Sequence, residues 1–419
     1  MTANEDLLDE IVRREIQVRR FSAGETKRLR QTLEALDADL VAKIRDKLNR
    51  LKAKQGTDPR ARAAIQRLNA FLDDLRAERE RIIRTVTQTT ETNVTGFARV
   101  EADAAQQMVN VSMPVQIEFI ALSDNRLRTL ILETPFQGHT LKGWFETLLR
   151  ADQRRLVEQI NLGMIQGESV PNIVRRIIGT RAGGYQNGVL SVTRRQAEAI
   201  VRTAINHSAN TTREMQWATA PPGVINLLMW ASTLDGRTTP TCRSRDGQIA
   251  PTTGEALPRG YDSSRLLYPV NARPPAHVNC RSVMVPVVDG DQLLGDRPFV
   301  TDTRTRRKRE IDFRAQAKAE AGPGEWSSLS EQERRARIRE KRQAWTRTNI
   351  GQTPAKTDYE QFLRRQIKEF QDDVLGKTRA KLYREGGLQV RDFTDRAGQE
   401  LTLEQLRELK PGAFRAAGL

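Results

Sequence analysis

The first third of the chain carries apolar residues at helical spacing among charged ones. Leu29, Leu33, Leu36, Leu40 and Ile44 recur three or four positions apart, one apolar stripe on a charged helix. Ser22 with Glu25 three residues on predicts a capping box for it. Gly56 predicts its end. Asp58-Pro59 predicts an N-cap and first-turn proline for a second helix through Ile65, Leu68, Leu72, Leu75 and Ile82. The two predict an antiparallel helical arm. The polar, Thr-rich stretch 85–111 has no pattern that assigns it.

Thr140 opens the next helical pattern, with Leu141, Trp144, Leu148, Leu156 and Ile160, and Ser169-Val170-Pro171 begins a short helix ending at Gly179. A Gly-rich loop over 181–188 precedes a helix capped by Thr193 with Gln196 and carrying Ala197, Ile200, Ala204 and Ala209. The texture then changes. Residues 224–233 (VINLLMWAST) form a β-type run, Asp235-Gly236 and Asp246-Gly247 are turn signals, and 280–288 (CRSVMVPVV) predicts a second strand. A basic stretch follows, broken at Ala321-Gly322-Pro323-Gly324. Capping boxes at Thr357/Glu360 and Thr402/Gln405 then return the chain to helix, with Phe362, Leu363, Ile367, Phe370 and Val374 as the apolar stripe. The fold class expected is mainly α with a small α+β domain, long amphipathic helices flanking a short-stranded sheet. The expected organisation is a helical arm (1–135), a domain with helices first and the α+β part second (136–290), a basic linker (291–350) and a helical tail (351–419).

Composition sharpens this picture. Hydrophobic residues are 38% and aromatics 5% of 419, thin for one large core and suited to helical layers with much solvated surface. Lys plus Arg exceed Asp plus Glu by 69 to 53, a formal charge of +16, which favours a polyanion or an acidic protein as neighbour. No apolar run approaches bilayer length, and the acidic, polar first ten residues do not resemble a signal peptide. Two cysteines exclude a multi-bridge disulfide framework and fit synthesis in a reducing cytosol.

Candidate chemistry is confined to 230–286. Of three histidines (His139, His207, His277), one lies between the two cysteines, three residues before the second. Cys242, His277 and Cys280 are zinc-type ligands, but a closed structural site needs a fourth, for which His207, Asp235 or Asp246 would have to serve. A Cys242–Cys280 disulfide and a Cys–His nucleophilic pair are the other chemical readings; nothing in the sequence supplies an oxyanion hole or an orienting partner for the latter. The favoured reading is that these residues fix a tight loop, with the aspartates shaping turns and Pro274-Pro275 stiffening the approach. The run Arg304, Arg306, Arg307, Lys308 and Arg309 is the leading DNA-contact candidate, with a solvated linker as its plainer role. Aromatics are not interleaved with it, so a single-strand stacking platform is not expected.

These motifs, in this order, resemble the phage head-morphogenesis family typified by the F protein of phage Mu. The resemblance lies in the helix at Arg202, Thr203, Asn206 and Asn210, in the turn at Trp230, Asp235, Arg237, Thr238 and Cys242, and in the closing element at His277, Asn279, Cys280 and Arg281. It covers about 140–290. It implies a minor structural head protein of a tailed bacteriophage, not an enzyme, in the virion near the portal vertex and in the host cytoplasm during assembly. It implies several copies per portal ring, the portal and other head or capsid proteins as partners, no membrane, and a role in head assembly, DNA packaging or genome delivery. Contact with double-stranded DNA would be sequence-independent. The helical arm and tail would bury their stripes on partner proteins. No cofactor is expected beyond the zinc reading. The runner-up is a metal- or thiol-dependent nuclease or protease acting during head maturation.

Overall fold

The structure, a computed structural model, describes residues 3–55, 61–113, 115–252, 257, 261–287, 296–354 and 357–419. Six helices lead: α1 (Ala3–Gln55), α2 (Ala61–Ser112), α3 (Asp124–Glu133), α4 (Leu141–Ile165), α5 (Val170–Ile178) and α6 (Val189–Trp217). Then follow β1 (Leu227–Ala231), β2 (Leu234–Asp235), α7 (Pro240–Arg245), β3 (Ile249–Pro251), β4 (Val283–Val287) and β5 (Asp296–Val300). The chain closes with α8 (Arg306–Ser328), α9 (Glu331–Asn349), β6 (Ile350–Pro354), α10 (Tyr359–Arg364), α11 (Lys368–Leu375), α12 (Lys377–Arg384), α13 (Leu403–Leu409) and α14 (Pro411–Ala416). Mainly α with a small α+β part is therefore the observed class. Among the described residues no helix is long and apolar enough to cross a membrane.

The arm is longer and better anchored than its stripe suggests. Ser22 and Glu25 lie inside α1, where Glu25 accepts a hydrogen bond from Asn93 Nδ2 at 2.7 Å instead of capping anything. The Gly56 and Asp58-Pro59 signals fall outside the described residues. The unassigned stretch 85–111 belongs to α2. Its threonines tolerate helix because their hydroxyls donate back to carbonyls one turn earlier, Thr87 to Ile83 and Thr90 to Val86, each at 2.8 Å.

One hydrophobic core runs from Val18 and Leu33 on α1 through Phe71 and Ile82 on α2 to Phe145 on α4, Ile173 on α5 and Val201 on α6. The expected boundary near 135 thus separates no cores, and the arm buries most of its stripe within this chain, with Ile65 left exposed. Two buried ionic networks pin the same layers. Arg79 of α2 donates to Asp37 of α1 and Asp152 of α4, each at 2.6 Å. Fully buried Arg213 of α6 donates to Glu15 of α1 at 2.8 Å and to Glu101 of α2, which also accepts from Arg14 at 2.8 Å. Removing one partner from such a network leaves an uncompensated buried charge, which typically costs about 3–5 kcal/mol.

Two small sheets follow. β1 is central in the first, antiparallel to β3 and β4, with Leu227 opposite Val287 and Trp230 opposite Met284. All five β1 residues are buried, which explains the continuous apolar run in place of alternation. In the second sheet β5 pairs parallel to β2 and antiparallel to β6.

From residue 296 on, the segment expected as a basic linker is regular structure, β5 and the helical hairpin α8–α9, and its first five residues lie outside the described residues. Its charge density hid the helices, since α9 has no buried residue and the hairpin's core is little more than Ala317, Ala321 and Trp326. The Gly322-Pro323 signal survives as a kink within α8, with Gly322 at φ 75°. The tail is a packed module. Phe362, Leu363, Phe370 and Val374 share a core with Tyr383, Leu406 and Phe414, while Ile367 of the expected stripe stays exposed. The caps shift by a residue or more: Asp358, not Thr357, caps α10, and Gly188, not Thr193, precedes α6. Thr140 and Ser169 hold the expected N-cap positions, and Thr402 with Gln405 forms the expected capping box.

Candidate functional site

The site is built on one polar face of α6. Thr203, Asn206 and Asn210 lie three and four residues apart, so their side chains line up along the helix. Each meets the segment that leads into β4. Thr203 Oγ1 accepts from the Asn279 amide at 3.0 Å, Asn206 Nδ2 lies 3.4 Å from the Ser282 carbonyl, and Asn210 Oδ1 accepts from the Met284 amide at 3.0 Å. Arg202 Nε adds a bond to Asn279 Oδ1 at 2.9 Å. Asn279 sits at φ 61°, a left-handed conformation that asparagine tolerates better than most residues. The helix motif and the closing motif, some 70 residues apart, are thus one hydrogen-bonded unit.

The two Asp-Gly turns are the second layer. Asp235 Oδ1 accepts from the Arg237 amide at 3.0 Å and from Thr238 Oγ1 at 3.1 Å, fixing the turn. Both its oxygens also accept from Arg281, at 2.6 and 2.8 Å. Burial alone would raise the Asp235 carboxyl, but Arg281 and Arg237 together hold the group below the ordinary carboxylate range. Asp246 accepts from the Ser232 amide at 2.6 Å and the Tyr359 amide at 2.8 Å, and from Arg297 through both oxygens at 2.9 Å. Trp230 is fully buried in β1, its indole N–H on Ser232 Oγ at 3.0 Å and the Arg245 guanidinium 5.3 Å above its ring.

The cysteines and His277 form the third layer. Thr239 caps α7 and places Cys242 in its first turn. Cys242 Sγ lies 3.2 Å from His277 Nε2 and 3.8 Å from Cys280 Sγ, and both thiols are free. Both sulfurs are buried and His277 is half-buried. The thiols differ in acidity. A hydrogen bond from Cys242 and the nearby His277 pull Cys280 well below the usual thiol range, while the contact with Cys280 and burial push Cys242 up. His277 and Cys280 also line a groove of about 740 Å³ between α1, α6 and this loop, into which Arg19, Arg30, Arg202 and Arg281 face.

Residues 155–285 match the family model described as Phage Mu protein F like protein. The chain carries a Phage Mu F-like domain. The match spans under a third of the 419 residues. No curated protein and no solved structure matches significantly. The F-like domain supports a phage head-related protein.

The residues expected to carry the resemblance, Trp230, Asp235, Arg237, Thr238, Asn279 and Arg281 with Cys242, His277 and Cys280, come together in these layers. None of the three proposed fourth ligands joins the Cys242–His277–Cys280 cluster among the described residues. Asp235 is engaged by Arg281 and Asp246 by Arg297, while buried His207 stacks on Phe136 at 5.0 Å and contacts Thr211 Oγ1 at 3.2 Å. The basic run lies at the start of α8, where Arg309 interacts electrostatically with Asp235 and Arg237 of the first turn. Arg304 bridges Asp302 and Asp312 at 2.7 and 2.8 Å, Lys308 reaches Asp312 at 2.9 Å, and Arg309 stacks 4.5 Å over Trp345. Arg307 meets only an amide oxygen, Gln186 Oε1 at 3.0 Å, among its described contacts. Arg306 belongs to the same helical turn.

Sequence reasoning missed Arg297 and Tyr359, which lie outside the family match yet complete the turn layer. Tyr359 donates its hydroxyl to the Asp235 carbonyl at 2.8 Å, and Leu234 joins the core of the tail. Neither residue stands in a recognisable motif. The only sequence signal is that Arg297 interrupts a short strand, where a buried arginine demands a carboxylate.

Proposed function

We propose that this chain is a minor structural head protein of a tailed phage, positioned at the portal vertex in several copies per ring. In this reading it contacts packaged double-stranded DNA without reading sequence and takes part in head assembly, packaging or genome delivery. The observation that carries the reading is the F-like match falling on one hydrogen-bonded unit of helix, turns and strand. Its polar residues bond to one another and to backbone, as a folding device does, and this favours a structural over a catalytic role. The formal charge of +16 supports a polyanionic neighbour.

One observation favours a second reading, a thiol- or metal-dependent nuclease or protease: the 3.2 Å contact of Cys242 Sγ with His277 Nε2. Against a thiol nucleophile, Cys242 is only 2% exposed and Cys280 4%. Quantitative mass spectrometry of purified virions, with a pull-down on the cognate portal, tests the structural reading. Fixed low-copy presence and portal capture are expected. Absence from virions, together with a nuclease or protease activity lost in Cys280→Ala, would replace it with the enzymatic one.

A further inference from the structure

We propose that Cys242, Cys280 and His277 bind one zinc-type divalent ion, with water from the adjoining groove completing its shell. The donor atoms lie within 4.8 Å of one another. Tetrahedral zinc at ordinary bond lengths sets its donors roughly 3.8 Å apart for two sulfurs and roughly 3.6 Å for sulfur and nitrogen. The two sulfurs stand at 3.8 Å, and Cys242 Sγ stands 3.2 Å from Nε2. The two edges that meet at Cys242 are thus close to those of a metal shell, and the third lies within 4.8 Å, whereas a disulfide requires sulfurs about 2.05 Å apart.

The histidine is oriented for the task. His277 Nδ1 lies 2.9 Å from the Val278 carbonyl oxygen, which can only accept, so Nδ1 carries the proton. Nε2 then presents its lone pair to the sulfurs, the tautomer that a backbone carbonyl commonly imposes on metal-bound histidine. Charge fits as well. Two thiolates and a divalent ion sum to zero, so the occupied cluster can be buried without a net charge. The groove lined by His277 and Cys280 supplies a route for the ion and its water.

The scaffold holds the three ligands independently of the metal. Thr239 fixes the turn bearing Cys242, and Thr203 and Arg202 fix Asn279 between His277 and Cys280. The ion would tie α7 to the closing loop.

The test uses the full-length protein purified under reducing conditions, with metal content and free thiols counted on the same sample and cobalt(II) titrated into the stripped protein. One metal per chain is expected. Cobalt should give thiolate charge-transfer and tetrahedral d–d absorption that zinc abolishes. Cys280→Ser and His277→Ala should weaken binding by more than the roughly 10–100-fold that loss of a merely supporting group costs. These variants can fail to fold, so the unmodified chain decides. Folded protein with both thiols free that takes up neither cobalt nor zinc overturns the proposal, as does a Cys242–Cys280 disulfide in the purified chain.

Discussion

Asp246 and Arg297 form a buried ion pair with two 2.9 Å hydrogen bonds, and it joins the second turn of the F-like domain to a strand beyond the family match. The same carboxylate accepts the Tyr359 amide at the entrance to the tail. Through one side chain the F-like unit, the second sheet and the C-terminal module are held in register.

Asp246→Asn should therefore destabilise the chain by about 3–5 kcal/mol, because Arg297 stays buried without a compensating charge. Urea unfolding measures this. Adding Arg297→Met should restore part of the loss, and a single variant as stable as the parent would show that the pair does not hold these parts together.

Asn210→Ala removes the acceptor of the Met284 amide inside β4. An unsatisfied buried donor costs about 1–3 kcal/mol. The expected result is a lower urea midpoint at unchanged slope, with thiol reactivity of Cys280 rising as the closing segment loosens.

His207 gives the fold an acid-sensitive group. Burial holds its imidazole at about 4, against 6.5 when exposed. The folded value is the lower one, so between these limits the unfolded chain binds the extra proton. This contribution to stability is full above pH 6.5 and is lost as pH falls toward 4, at up to about 1.4 kcal/mol per pH unit. Melting temperatures across that window should fall less steeply in His207→Gln than in the parent; identical slopes would refute the assignment.

The basic run should divide in two. On the proposed DNA-contacting role, Arg307→Ala lowers affinity for random-sequence duplex and reduces the salt slope by about 1. Arg304→Ala should chiefly affect stability, since its guanidinium is engaged by Asp302 and Asp312. Salt titrations of both variants check this, and equal losses of affinity would contradict the division.

What the sequence determined by itself was local. Leu29, Leu33 and Leu40 declared a helix, Thr140 and Thr402 declared caps, and the order Asn210, Asp235, His277, Cys280 declared the family. Each is a short-range pattern set by helical period, capping or motif spacing. Charge density concealed α8 and α9, and threonines concealed the second half of α2, because their hydroxyls hydrogen-bond back to carbonyls one turn earlier only once the helix exists. Tertiary structure alone decided what each stripe packs against, and it buried most of the stripe residues within this chain. It also decided that Asp235 would meet Arg281 and Asp246 would meet Arg297. A buried carboxylate needs a cation but does not specify which one in the sequence, and only the folded path brings a particular arginine within 3 Å of it.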